Sequence, residues 1–357
     1  MRTALALARR GLGSVWPNPA VGCVLVREGR PVGRGWTQPG GRPHAETEAL
    51  RRASDRARGA TAYVTLEPCA HHGVTGPCAD ALAEAGIARA VIALQDPDPR
   101  VCGRGTAALR AAGIAVVEGV LGDEAAELNR GFLLRVSEGR PLFTLKIATS
   151  LDGRIAAGSG DSKWITGEAA RRHAHLLRAT HDAVLVGAAT ALTDDPALTC
   201  RLPGLAGRSP VRLVADSRLR LPADAGMVRS ARDVPTWVLT TAAADPARRE
   251  ALRAAGVAVI EVAGDTEGAA DAGAMARALA ERGLTRVLIE GGGRLAAAFL
   301  RAGLIDRLCW FTAPKIIGGD GVAAVAALGL DAVASAPAFR LQRTRVLGSD
   351  ILCEYGR

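Results

Sequence analysis

Three features of the sequence predict an α/β protein made of two consecutive domains. Short apolar runs of strand type alternate with segments of helix type along the whole chain. With 357 residues the chain has room for about two domains of roughly 150 residues each. The alternation breaks once, at Ser137-Glu138-Gly139-Arg140-Pro141. The boundary is expected there, giving domains of residues 1–139 and 140–357.

The first half reads as follows. Residues 3–11 have helical composition and end at Gly11. Pro17 and Pro19 in Trp16-Pro17-Asn18-Pro19 exclude helix. Val21 to Val26 reads as a buried strand, Glu28-Gly29-Arg30 as a turn and Val32 to Gly35 as the hairpin partner. His44 to Ala57 reads as a helix, with Ala45, Ala49, Leu50 and Ala53 on one stripe. Ala60 to Leu66 is a strand delivering Glu67-Pro68-Cys69, and a helix opens at Cys78 and runs to Ala85. Ala88 to Leu94 is a strand, then come a turn-rich loop (95–105), helix Thr106 to Ala112, strand Ile114 to Val117 and helix Glu124 to Leu134. Such alternation implies an α/β/α layered domain with its ligand at the strand ends.

The second half restarts with strand Leu142 to Ala148 and a turn at Asp152-Gly153. A loop from Gly158 leads to a helix from about Gly167 to Ala179, capped by Thr166 or Gly167. Ala183 to Gly187, Val211 to Ala215, Thr236 to Thr240, Val257 to Val262 and Arg286 to Glu290 read as five more strands. Helical stretches lie between several of them. The Ala/Gly-rich patches near 241–246 and 263–274 read as loops and helices.

Composition narrows the class. Hydrophobic residues make up 48% of the chain and mean hydropathy is +0.14, ample for buried cores. No apolar run reaches the ~18 residues of a spanning helix, so no membrane partner is expected. The N-terminal stretch ends in Arg9-Arg10 and lacks the order of a secretory signal, so a cytoplasmic location is expected. Seven dispersed cysteines do not resemble a disulfide framework. Cys23, Cys102, Cys200, Cys309 and Cys353 read as small core or near-surface thiols. The net charge of +9 admits nucleic acid as a partner, but aromatics at 3% supply few stacking platforms. The arginines are dispersed, as in Arg51-Arg52 and Arg171-Arg172. An anionic small molecule is the expected partner.

Chemistry concentrates first at Pro43-His44-Ala45-Glu46, Glu67-Pro68-Cys69 and Pro77-Cys78. His44, Cys69 and Cys78 are ligands suited to Zn²⁺, and three protein ligands leave the fourth position for water, as in catalytic sites. Glu46 has the spacing of a proton shuttle, while Glu48 reads as a surface or structural charge. His-x-Glu followed by Pro-Cys and a second Cys is the signature of zinc deaminases. Those usually space the cysteines Cys-x-x-Cys, whereas here eight residues, Ala70 to Pro77, intervene. His71 or His72 could supply a fourth ligand. Both read instead as pocket lining, His71 foremost. The metal is expected between two helix N-termini, where partial positive charge favours thiolate.

In the second half, Glu290-Gly291-Gly292-Gly293-Arg294-Leu295-Ala296 reads as strand end, glycine run and helix start. It is either a diphosphate cradle or a ligand-free turn. It formally fits the Rossmann fingerprint, but it comes late in the domain and Trp310 stands near the place of the ribose-binding acid. The missing acid favours NADPH over NADH. Asp194-Asp195-Pro196 is either a turn or part of a polar pocket.

Taken together, these residues resemble the bifunctional deaminase/reductase family of riboflavin biosynthesis over almost the whole chain. In the first half the resemblance rests on Pro17-Asn18-Pro19-Ala20-Val21-Gly22, His44-Ala45-Glu46, Glu67 to Gly73, Pro77-Cys78 and Gln95-Asp96-Pro97-Asp98-Pro99. In the second half it rests on Leu145-Lys146-Ile147-Ala148, Ser150 to Arg154, Trp164-Ile165-Thr166, Asp194 to Thr199, Glu290-Gly291-Gly292 and Ala313-Pro314-Lys315. The long cysteine spacing is a family trait. Departures are modest: Val15-Trp16 stands where a Thr often precedes Pro-Asn-Pro, and Asp98 stands where Asn is common.

The resemblance implies a cytidine-deaminase-like α/β/α domain followed by a dihydrofolate-reductase-like α/β domain. It implies hydrolysis of the 2-amino group of 2,5-diamino-6-(5-phosphoribosylamino)pyrimidin-4-one, then NADPH-dependent reduction of the ribosyl group to ribityl. Zinc would fall to His44, Cys69 and Cys78, and proton transfer to Glu46. NADPH contacts would fall to Ala148, Trp164, Thr190, Asp194, Ser217, Gly292, Gly293, Arg294, Leu295, Ala296, Ala297 and Ala298. Substrate contacts would fall to Asn18, His71, Ser162, Arg178, Leu198, Arg201 and Glu290, with Arg178 and Arg201 suited to phosphate. A homo-oligomer is implied as well. The competing expectations are a single-function nucleoside or tRNA deaminase with a non-catalytic second domain, and a nucleic-acid-binding protein with a structural zinc.

Overall fold

A computed structural model describes residues 1–72 and 76–357, which divide into two compact units, Met1–Gly139 and Arg140–Arg357. Gly73, Val74 and Thr75 of the inter-cysteine insert lie outside the described residues.

The first unit comprises α1 (Arg2–Ala8), β1 (Gly22–Arg27), β2 (Arg30–Trp36), α2 (Ala45–Ala53), β3 (Thr61–Val64), α3 (Cys78–Glu84), β4 (Arg89–Ile92), α4 (Arg104–Ala111), β5 (Ala115–Glu118) and α5 (Gly122–Glu138). Its sheet runs β2-β1-β3-β4-β5. β1 is antiparallel to β2 and β3, and the last three strands are parallel. Helices cover both faces, as the alternation implies. Ala45, Ala49 and Ala53 of α2 pack with Cys23, Leu25 and α3 on one side, while Leu5 and Ala8 of α1 pack with Ala125 and Leu128 of α5 on the other. α2 is shorter than expected: Ser54, with φ 51°, ends it, and a single 3₁₀ turn continues to Ala57.

The second unit comprises β6 (Leu142–Thr149), β7 (Arg154–Ala156), α6 (Glu168–Ala179), β8 (Ala183–Gly187), α7 (Ala188–Asp194), β9 (Val211–Ala215), α8 (Gly226–Arg229) and β10 (Thr236–Thr240). It continues with α9 (Pro246–Ala254), β11 (Ala258–Glu261), α10 (Ala272–Glu281), β12 (Arg286–Glu290), α11 (Gly293–Arg301), β13 (Ile305–Thr312), β14 (Val322–Ala323), β15 (Arg340–Leu347) and β16 (Asp350–Gly356). Its main sheet runs β11-β10-β9-β8-β12-β6-β13-β16-β15. It is parallel as far as β13, and β16 and β15 add antiparallel strands. α6 is capped without a side chain of its own: the Gly167 N–H donates to Asp350 Oδ2 at 2.7 Å.

The sequence does not announce β13, β15 and β16. β15 is an edge strand of arginines and polar residues, largely exposed, without the alternation of a half-buried strand. β13 carries Asp306 and Arg307, and the buried Asp306 carboxylate is satisfied by Arg140 at 2.8 and 3.0 Å and by the Phe143 N–H at 2.9 Å. A charge paired through tertiary structure breaks the hydrophobic pattern by which strands are read.

Candidate active sites

In the first unit, the β1–β2 hairpin packs against α2 through glycines. A Cβ on Gly35 would stand 2.1 Å from the Ala45 carbonyl, so the helix start lies directly on the hairpin. His44 is the N-cap of α2, Cys69 follows β3, and Cys78 is the first residue of α3. The three donor atoms lie within 4.8 Å of one another. His44 Nδ1 is 3.3 Å from Cys78 Sγ and 3.7 Å from Cys69 Sγ. Tetrahedral zinc with Zn–S ~2.3 Å and Zn–N ~2.0 Å has edges of about 3.5 Å (N···S) and about 3.8 Å (S···S). The donor set therefore fits zinc in type and in spacing. His71 and His72 do not join it.

The two thiols are close enough to hydrogen-bond. A hydrogen bond from Cys78 is the main cause that lowers Cys69 to about 4, and its backbone neighbour, the Cys78 N–H, adds a donor at 3.3 Å. Donating that bond, together with burial, raises the Cys78 thiol. The hydrogen bond with Cys69 also raises His44 against the effect of burial. A bound dication would displace these protons.

Glu46 is 3% exposed, and burial pushes its carboxyl up to about 7. It lines one pocket with His44, Cys69, Asn18, His71 and Asp98. The Asn18 amide rests on the backbone of Gly41, where a Cβ would stand 1.7 Å from Asn18 Nδ2. His71 Nδ1 is buried with no hydrogen-bond partner among the described residues, an orphan that a ligand could satisfy. His72 is exposed and lies off the pocket lining.

In the second unit the site residues gather at the C-terminal ends of parallel strands. Glu290 ends β12, opposite Lys146 of β6 in the strand register. Arg178 of α6 grips Glu290 through Nε to Oε1 at 2.7 Å and Nη2 to Oε2 at 2.9 Å, and its Nη1 donates to the Thr199 carbonyl at 3.1 Å. Burial opposes the Glu290 charge, but Arg178 and then Lys146 outweigh it and lower its pKa. Both edges of the Arg178 fork therefore have partners, the Glu290 carboxylate and the Thr199 carbonyl. Arg201 is exposed.

The glycine run is a tight cradle. Gly291 and Gly292 have φ 86° and 90°, and a Cβ on Gly291 would stand 3.2 Å from the Thr190 side chain. α11 starts at Gly293. Leu295, Ala296 and Ala297 are buried, so the helix start offers backbone N–H groups rather than side chains. Ala148 lies near the end of β6, Thr190 and Asp194 lie on α7, and Leu198 is buried beyond it. Ser217 follows β9, where its Oγ accepts from the Ala270 N–H at 2.8 Å. Ser162 is exposed on a loop, as is Trp164, 65% exposed with φ 64°. Arg171 lies 4.3 Å from the Trp164 ring centroid, and Lys315 Nζ donates to the Trp164 carbonyl at 2.7 Å.

Sequence reasoning gave no role to three residues that shape these sites. Lys146 was legible as a lone charge inside an apolar strand. Glu67, 3% exposed, accepts N–H bonds from Asp96 at 3.3 Å and from Gly103 and Thr106 at 3.0 Å, so it holds the pocket-lining loop onto the Glu-Pro-Cys turn. Asn129 of α5 clamps the Pro-Asn-Pro loop through reciprocal bonds with Ala20 N–H and C=O at 2.9 and 3.0 Å. No local signal marks Asn129, since its partner is 109 residues away.

Two family models match the chain. The RibD C-terminal domain matches residues 141–353, and the cytidine and deoxycytidylate deaminase zinc-binding region matches residues 1–94. The chain is 42% identical over 362 residues to the riboflavin biosynthesis protein RibD of Escherichia coli (strain K12), covering 98% of this chain and 96% of that protein. The solved structure of Acinetobacter baumannii RibD, form 1, matches with TM-score 0.89 and 40% identity over 99% of this chain and 97% of that one. A Thermotoga maritima structure described as a diaminohydroxyphosphoribosylaminopyrimidine deaminase/5-amino-6-(5-phosphoribosylamino)uracil reductase matches with TM-score 0.86 and 38% identity, over 100% of this chain and 97% of that one.

Proposed function

This chain belongs to the RibD family of riboflavin biosynthesis, and on that premise we propose which of its residues carry the two reactions. It is a zinc-dependent deaminase and an NADPH-dependent reductase. The first unit hydrolyses the 2-amino group of 2,5-diamino-6-(5-phosphoribosylamino)pyrimidin-4-one. The second reduces the ribosyl group, giving 5-amino-6-(5-phosphoribitylamino)uracil. The observation that carries the reading is the convergence of one imidazole and two sulfurs within 4.8 Å, in the pocket that holds the Glu46 carboxyl.

His44, Cys69 and Cys78 hold the zinc. When bound there, zinc supplies a water that is nucleophilic near neutral pH. Glu46 would hold and move the protons of the hydrolysis at its carboxylate oxygens, passing them to the ring nitrogen and the departing amine. A carboxyl near pKa 7 suits both transfers. Asn18 and His71 hydrogen-bond the pyrimidine edge. In the second unit, NADPH supplies the hydride. Gly292 to Ala298 would face its diphosphate, with donation from the N–H groups ahead of Ala296, whose own N–H is bonded to the Gly292 carbonyl at 3.0 Å, and Ala148, Trp164, Thr190, Asp194 and Ser217 would contact the rest of the cofactor. Ser162, Leu198, Arg201 and Glu290 bind the substrate, with Arg201 on its phosphate. Arg178 orients Glu290, and Lys146 faces the reducing centre beside it.

The single-function deaminase with an inert second domain is set aside, because the reductase-domain model spans residues 141–353 and the relatives match along the full chain. A cytoplasmic homo-oligomer acting on a free metabolite rather than nucleic acid completes the reading. In support, aromatics amount to 3% of the sequence, and no helix among the described residues is long and apolar enough to cross a membrane. The test is metal analysis of the full chain, with ammonia release and NADPH oxidation followed on the diaminopyrimidine phosphate. Bound zinc, ammonia release and then NADPH consumption are expected. Metal-free protein that is fully competent, or ammonia release with no NADPH oxidation, would overturn the assignment.

A further inference from the structure

The deamination substrate carries a phosphate, so on the family reading above the first-unit pocket must meet a dianion as well as a ring. We propose that Arg100 is the phosphate-binding, specificity-determining residue of the deaminase pocket, and that Asp98 is the residue that orients it.

The reacting ring has to reach the buried end of the pocket, beside Glu46 and the ligand residues. The phosphate is the most strongly hydrated part of the substrate, and burying a charge is costly, so it belongs at the open end. Three arginines line the pocket: Arg42, Arg100 and Arg135. Arg42 and Arg135 are half-buried, while the Arg100 side chain is 72% exposed at the mouth.

Arg100 is held in a fixed pose. Its Nε donates to Asp98 Oδ1 at 3.0 Å and Oδ2 at 3.1 Å, and its Nη2 donates to Oδ2 at 2.6 Å. The Arg100 backbone N–H also donates to Asp98 Oδ1 at 2.9 Å. Asp98 is itself tied inward, its N–H donating to Asp96 Oδ1 at 2.9 Å, and the Asp96 N–H is bound by the buried Glu67. This series of bonds runs from the Glu-Pro-Cys turn to the guanidinium. Asp98 occupies the Nε/Nη2 edge of the planar fork. The Nη1/Nη2 edge has the spacing for two oxygens of a phosphate. The Asp98 carboxylate supplies the counter-charge that holds the fork in this pose. The Arg100 side chain itself is 72% exposed, so truncating it should matter little to folding.

The test compares ammonia release by the zinc-loaded full chain from the phosphorylated diaminopyrimidine and from its dephosphorylated counterpart. Arg100→Met should lower the kcat/KM ratio of phosphorylated to dephosphorylated substrate by about tenfold or more, through KM, because it deletes charge-assisted hydrogen bonds. Arg100→Lys should restore part of the ratio, and Asp98→Asn should lower it less than Arg100→Met does. Melting temperature and zinc content should match wild type. An unchanged ratio in Arg100→Met, or an equal loss on both substrates, would overturn the proposal. Wild-type protein that deaminates neither substrate would instead overturn the family reading on which it rests.

Discussion

In the reaction proposed above Glu46 acts as base and acid within one turnover, and burial raises its carboxyl above the usual carboxylate range. Its backbone sits in the first turn of α2, one residue past the N-cap helix start, so removing the charge leaves the ligand geometry in place. Glu46→Gln is therefore expected to bind zinc as wild type does and to lose ammonia release by about 10³-fold, read by metal analysis and a coupled ammonia assay. Retained activity in that variant would remove Glu46 from the mechanism. Arg178 shows the opposite lesson at the same scale. Its sequence context fits a phosphate ligand and does not reveal that the folded chain sets Nε and Nη2 on Glu290 and Nη1 on the Thr199 carbonyl, so that both edges of the fork have partners within the unit.

At the scale of elements, close backbone contact sets the first site. Gly22 of β1 packs directly under α1: a Cβ there would stand 1.9 Å from the Ala4 carbonyl oxygen. Neither partner is a side chain that can turn away. Gly22→Ala should destabilise the protein by about 1–3 kcal/mol, seen as a lower denaturation midpoint. Gly29, at the tip of the same hairpin, has open space around the added atom, so Gly29→Ala meets only the strain of φ 73° and should cost less. A larger loss at Gly29 than at Gly22 would contradict this account. Most of these elements were legible beforehand. The β1–β2 turn, the helix opening at Cys78 and the central strands of the second unit follow from periodicity and turn residues. The edge strand β15 does not, because an edge strand answers to its neighbour, here β16, rather than to its own pattern.

At the scale of the whole molecule, buried ionisable groups tie folding to pH. His181 is buried as the neutral imidazole, with Nδ1 2.7 Å from the Leu177 carbonyl and Nε2 2.9 Å from Thr144 Oγ1. Burial, reinforced by Arg286, lowers its pKa to about 3. The unfolded chain binds a proton near pH 6.5, so below that pH it holds more protons than the folded chain. The stabilisation is complete above about pH 6.5 and is lost as pH falls toward 3, on the order of 4 kcal/mol over the full window. Melting curves from pH 7 to pH 4 should therefore fall more steeply for wild type than for His181→Gln. Parallel curves would show that His181 carries no such linkage.

What the sequence by itself determined is the chemistry: one imidazole, two thiols and a carboxylate at deaminase spacing, and a glycine run after a strand. These are short-range facts, set by which atoms a side chain carries and which dihedrals a residue tolerates. Tertiary structure decided which distant groups meet. Arg178 finds Glu290 across 112 residues and Asn129 finds Ala20 across 109, pairings with no local trace. Folding sets them by closing the chain around a core, where each buried polar group must find a partner wherever the packing brings one.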